Sequence, residues 1–214
     1  MYDTAETDKK WLLAWAIRTR NQPFSDSIKK DLNQINLNKV NIDYADLSGV
    51  DLSGANLRGA NLISADLIGV NLSKANLHKN NLYGADLSDA DLSGANLRKA
   101  NLNLEILRGV NLRGADLQQA DLSSVDLSDA DLSGSNLRKS VLGETNLRGA
   151  NLRGADLQQA DLSSVDLSDA DLSGSNLRKS VLDKTNLRGA NLSYADLREI
   201  DLNEANLQGA IFDW

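Results

Sequence analysis

The amino-acid sequence predicts an all-β solenoid, a chain wound into a four-sided prism with one short side for every five residues. Three observations predict it. From Leu32 to Phe212 an apolar residue recurs at every fifth position, thirty-seven in all, and thirty-five of them are Leu. The residue two before each is usually Ala or Val, as at Ala55, Val70 and Ala95, and the residue one before is nearly always Asp or Asn. Residues 151–190 repeat 111–150 with two changes, Gly143 to Asp183 and Glu144 to Lys184.

A period of five fits neither the 3.6 of a helix nor the 2 of a strand, so neither element keeps these Leu on one buried face. A coil that turns a corner every five residues does. Leu and the small residue two before it point inward, and the other three point outward. Ala is needed because the axis cannot hold two large residues per side. The forty-residue duplication is two coils of twenty and is not a multiple of fifteen, which favours four sides over three. Spacing by twenty also alternates Asp with Asn down one column, from Asp51, Asn71 and Asp91 to Asp171 and Asn191. That avoids stacking like charges about 4.8 Å apart.

These pentads, written A(D/N)LXX, resemble the pentapeptide-repeat family across residues 30–214. The resemblance implies a right-handed quadrilateral parallel β-helix. Its inward central residue maps onto Leu47, Leu52 and Leu57, and its small inward residue onto Ala45, Val50 and Ala55. Departures are few: Asn80 and Glu105 stand at small inward positions, and Ile106, Val141, Val181 and Ile211 replace the outward Asp or Asn. Glu105 would be costly inside, which points to a bulge around Asn103 to Leu107. About nine coils give a rod roughly 43 Å long. Residues 1–29 are expected to form a helical cap: Trp11, Leu12 and Trp15 share one helical face, and Asn21, Gln22 and Pro23 end it. Phe212 and Trp214 are expected to plug the last coil.

Composition narrows the chemistry. The 214 residues include no Cys, so there is no disulfide, thiol nucleophile or thiolate site, and a cytoplasmic location suits the chain. The apolar run WLLAWAI, residues 11–17, is too short to span a membrane. His78 is the only His and faces outward. Asp46, Asp66 and Asp86 form an unbroken acidic ladder but lack the glycine-rich signature of calcium-binding rolls. A Leu-filled prism is expected to have no pocket, so no enzyme activity, cofactor or metal is expected.

The net charge of −7 is unevenly spread. The side built on Leu37, Leu57 and Leu77 carries Lys39, Arg58, Lys79, Arg98, Lys99, Arg138, Lys139, Arg178, Lys179 and Arg198. Only Asp116, Asp156, Asp196 and Glu199 oppose them there. This stripe is the candidate partner-binding surface. Ile63, Ile68, Tyr83 and Leu104 form a candidate apolar patch. The leading reading is a non-enzymatic scaffold or interaction rod for a protein partner, monomeric or dimerised end to end, its near-identical copies fitting recent or deliberate lengthening. The resemblance implies a second reading, since some family members mimic duplex DNA and bind type II DNA topoisomerases. Here the basic stripe interrupts an anionic surface. A third reading, nucleic-acid binding along the stripe, is disfavoured because no aromatics interleave with its cations.

Overall fold

The computed structural model describes residues 32–103 and 107–213. Parallel bridges join each Asp or Asn position to its counterpart twenty residues on, from Asn36 with Asn56 to Asn191 with Ile211. One coil is therefore four pentads, as the duplication requires.

The pentad Leu72 to Asn76 shows why the chain winds this way, because all five of its N–H groups are satisfied. Leu72 donates to the Asp91 carbonyl at 2.7 Å and Lys74 to the Ser93 carbonyl at 2.8 Å, both on the next coil. Asn76 donates to the Ala55 carbonyl on the previous coil at 2.8 Å. Ala75 donates to the Leu72 carbonyl at 3.0 Å and closes the corner. The fifth N–H, that of Ser73, is accepted by the Asn71 side chain at 3.0 Å. This last bond explains the Asp/Asn column: a short side-chain acceptor caps the turn that follows it.

Every positive φ among the described residues falls two positions after the central apolar residue. That is the signature of a type II corner, which favours Gly there. Gly54 and Gly94 occupy such corners, but so do Lys79 and Lys99, with φ of 60° and 57°. A non-Gly residue there costs roughly 1–2 kcal/mol. The bonds between coils hold the strained corners in place.

Inside, the Leu column and the small column form one continuous buried core. Asn80 is buried in the small column, and neither its side-chain oxygen nor its nitrogen has a hydrogen-bond partner among the described residues. The same column holds Ser140 and Ser180, whose hydroxyls donate to the Leu137 and Leu177 carbonyls at 2.6 and 2.7 Å.

The carboxy-terminal coil differs from the rest. Leu197, Leu202, Leu207 and Phe212 are only partly buried against the core. Asp201 forms no bridge, and Glu204 lacks the positive φ of its position. The expectation of a prism without pockets is corrected here: Ala195, Leu197, Ile200, Leu202 and Phe212 line an open cavity of about 590 Å³. The physical reason is that no further coil covers these side chains. Phe212 is among its lining residues and is partly buried against the core. The expected cap residues Trp11, Leu12 and Trp15, with Leu104, Glu105, Ile106 and Trp214, lie outside the described residues.

Candidate partner-binding face

The ten cations of the stripe occupy two adjacent columns, the corner positions that follow the Leu of one side. Hydrogen bonds between coils fix their register: Lys39 donates to the Arg58 carbonyl, Lys79 to that of Arg98, and Gly59 to that of His78, each at 3.0 Å. Successive coils thus stack Arg58, His78 and Arg98 in one column and Lys79 and Lys99 in the next.

The stripe divides into two unlike halves. In the amino-terminal half the capping column is Asn36, Asn56, Asn76 and Asn96. Each amide nitrogen donates to the oxygen of the Asn one coil back, at 3.3, 3.4 and 3.4 Å. No acid stands on this part of the side, and Lys39, Arg58, Lys79 and Lys99 make no ion pair among the described residues.

In the carboxy-terminal half the column reads Asp116, Asn136, Asp156, Asn176 and Asp196. Arg98 reaches Asp116 at 3.4 Å, and Arg138 reaches Asp156 at 3.4 Å and the Gln158 side chain at 2.7 Å. Glu199 accepts from Arg178 Nε at 2.7 Å and pairs with Lys179 at 3.3 Å. Arg198 folds back onto Asp196 at 2.7 Å, and its side-chain hydrogen bonds pull that carboxyl down to about 2. Such exposed pairs add little stability, typically about 0–1 kcal/mol. They do consume the outward charge. Lys139 is the one cation of this half without an ion pair among the described residues.

His78 sits in the middle of the uncompensated half. Partial burial and then the cations Arg58, Lys79, Arg98 and Lys99 push its imidazole below the ordinary His value. Sorting the sequence by twenty puts His78 on the same side as these cations, and the stacked coils bring them close enough to act on it.

Of the candidate apolar patch, Ile63 and Tyr83 stack on adjacent coils, with the Ser64 N–H donating to the Tyr83 carbonyl at 3.0 Å. Ile68 lies around the next corner, and Ile68 and Tyr83 are exposed. Val141, Val181 and Ile211, outward by the sequence pattern, are exposed too, and sequence reasoning passed over the exposed Tyr44 and Tyr194. Asp46, Asp66 and Asp86 stack as expected, each bridging the next. Their oxygens cap their own turns, Asp46 accepting from the Ser48 N–H at 3.0 Å and Asp86 from the Ser88 N–H at 3.0 Å. Among the described residues no group of three or more His or acidic side chains is arranged to hold a metal, and no helix is long and apolar enough to cross a membrane.

Comparison with known proteins agrees with the coil geometry. The family described as Pentapeptide repeats matches in eight copies, over residues 28–54, 55–94, 85–129, 106–143, 130–169, 140–178, 166–203 and 180–214. A comparison with curated proteins finds no match. Among solved structures, HetL is a pentapeptide repeat protein involved in heterocyst differentiation regulation from the cyanobacterium Nostoc sp. strain PCC 7120. It is 37% identical, covers 86% of this chain and 90% of its own, and has a TM-score of 0.37. The pentapeptide repeat protein Rfr23 from Cyanothece 51142 is 32% identical over 57% of this chain and 84% of its own, with a TM-score of 0.25. Full-length QnrB1, a plasmid-mediated fluoroquinolone resistance protein, is 14% identical over 78% and 91% of the two chains, with a TM-score of 0.33. With eight matched copies reaching from residue 28 to residue 214, this chain belongs to the pentapeptide-repeat family.

Proposed function

We propose that this chain is a non-enzymatic interaction rod whose basic side receives an acidic protein partner. The supporting observation is the amino-terminal half of the stripe: Lys39, Arg58, Lys79 and Lys99 make no ion pair among the described residues, and backbone bonds hold them at fixed axial intervals. Positive potential presented on a rigid frame steers and orients an acidic partner more than it adds raw affinity. The finer architecture belongs to this reading: about nine right-handed coils over residues 30–214, capped at one end by a helix within residues 1–29, in a cytoplasmic protein. Ile63, Ile68 and Tyr83 lie near the same coils and would widen the contact.

The test is affinity capture with three versions of the full chain. Lys39, Arg58, Lys79 and Lys99 changed together to Gln should lose the partner while the melting curve stays nearly unchanged. Arg138, Lys139, Arg178 and Lys179 changed together to Gln should lose less, because three of those four cations are already paired. Equal capture by all three versions removes the stripe from the reading. A second reading, binding of a type II topoisomerase through the acidic sides, gains support if capture instead follows Asp-to-Asn changes at Asp46, Asp66 and Asp86.

A further inference from the structure

We propose that Arg58, His78 and Arg98, with Lys79 and Lys99 beside them, form a binding site for a phosphate-type oxyanion carrying two or more charges. The site goes beyond the protein-partner reading, since a small anion would occupy it whether or not a protein docks on the same side.

Register builds the site. The Asn56, Asn76 and Asn96 bridges hold residues 58, 78 and 98 at the same corner of three successive coils. With coils about 4.8 Å apart, the two Arg stem from points about 10 Å apart with the imidazole between them. That opening suits an anion spanning more than one coil, such as a diphosphate. Guanidinium groups bind phosphate oxygens through paired N–H donors, and a protonated imidazole adds two more.

Among the described residues the surroundings bring a single paired counter-charge, on Arg98. Facing His78 are Lys79 on its own coil, Arg58 on the coil before, and Arg98 and Lys99 on the coil after. On the adjoining sides the same coil brings Lys74 and Tyr83. Asp51 and Asp91, on the neighbouring side, are engaged with the Ser53 and Ser93 N–H groups at 3.0 and 2.9 Å. The one carboxylate near the cluster is Asp116, which Arg98 meets at 3.4 Å, a long contact between half-exposed groups that an incoming anion can displace. The cap of the His78 N–H is neutral, the Asn76 oxygen at 3.2 Å. Burial and then the four cations lower the proton affinity of the imidazole below that of a free His. A bound anion offsets the part of that effect that comes from the cations, so binding carries a proton onto His78 and strengthens as pH falls.

Because His78 is the only His, its imidazole resonances report on the site without assignment. The experiment titrates the full chain with pH by NMR, with inorganic diphosphate or with sodium chloride at matched ionic strength. Diphosphate should raise the His78 pKa by about one unit or more over the chloride control, the size expected of an opposite charge within a few ångströms. Arg58→Gln with Arg98→Gln should abolish that rise at an unchanged melting temperature. Lys79→Gln with Lys99→Gln should reduce it. Arg138→Gln with Arg178→Gln should leave it intact. No rise beyond chloride, a rise that survives Arg58→Gln with Arg98→Gln, or an equal rise from a glutamate peptide of the same charge would each overturn the proposal. Loss of protein capture without loss of the diphosphate effect would count against the interaction rod alone.

Discussion

The two halves of the basic side share one backbone and differ in one column of caps and in Glu199 at a far corner. Arg138 meets a carboxylate eighteen residues on, Asp156, at 3.4 Å, whereas Arg58 meets Asn76 at that place. Both side-chain types cap the turn equally: the Arg138 N–H is accepted by Asn136 at 3.3 Å and the Gln158 N–H by Asp156 at 3.1 Å. The fold is therefore indifferent to Asn or Asp at this position, and the surface is not. In a solenoid whose stability is a sum of neighbouring coils, charge can be rewritten one cap at a time without touching the core.

If the halves differ only in surface charge, their cores should respond alike. Leu97→Ala and Leu137→Ala each remove a fully buried Leu and should each cost about 2–5 kcal/mol in denaturant melts. Unequal losses would mean the backbone differs too. Leu207→Ala, on the half-open last coil, should cost less than either.

A core difference does exist in the small column, and it sets the next expected effect. Asn80 is buried with both polar atoms unpartnered, while Ser140 and Ser180 return their hydroxyls to carbonyls. Asn80→Ala should therefore stabilise the protein by about 1–3 kcal/mol, the cost of leaving a buried polar group unsatisfied. Ser140→Ala should be close to neutral or mildly destabilising. A destabilised Asn80→Ala protein would contradict an unpaired Asn80 side chain.

A smaller effect follows from giving Arg58 the carboxylate it lacks. Asn76→Asp should raise the His78 pKa toward the ordinary value by offsetting the cations around it. The stability consequence has a definite sign. A His whose folded pKa lies below its unfolded value of about 6.5 contributes stability above that value and loses it as pH falls toward the folded one. The Asn76→Asp protein should accordingly lose less stability than the parent between pH 7.5 and 5.5, read as the difference in melting temperature.

The fold was legible because its rule is local and repeated. Five residues specify an inward Leu, an inward Ala, a cap and a corner, and the duplication length reveals how many corners make a coil. Asn80 stood out as a violation of that rule, and it is one of the buried polar side chains, with Ser135 and Ser175, left unpaired among the described residues. The open cavity under Ile200 and Leu202 was not legible, since a periodic pattern says nothing about whether a further coil covers it. The site was half legible. Sorting by twenty collected the ten cations onto one side, but pairing of Arg138 with Asp156 depends on side-chain reach across coils. The expectation of an even cationic row thus gives way to an uncompensated half and a neutralised half.

Gln158 occupies the His78 position four coils on, flanked by Arg138 and Arg178 but preceded by Asp156 in place of Asn76. Gln158→His would place an imidazole in each half of one molecule, and a single NMR pH titration would compare them directly. The divided stripe requires His78 to titrate clearly below the imidazole introduced at position 158. Equal values, or the reverse order, would contradict the claim that one column of caps separates a charged half from a neutralised one.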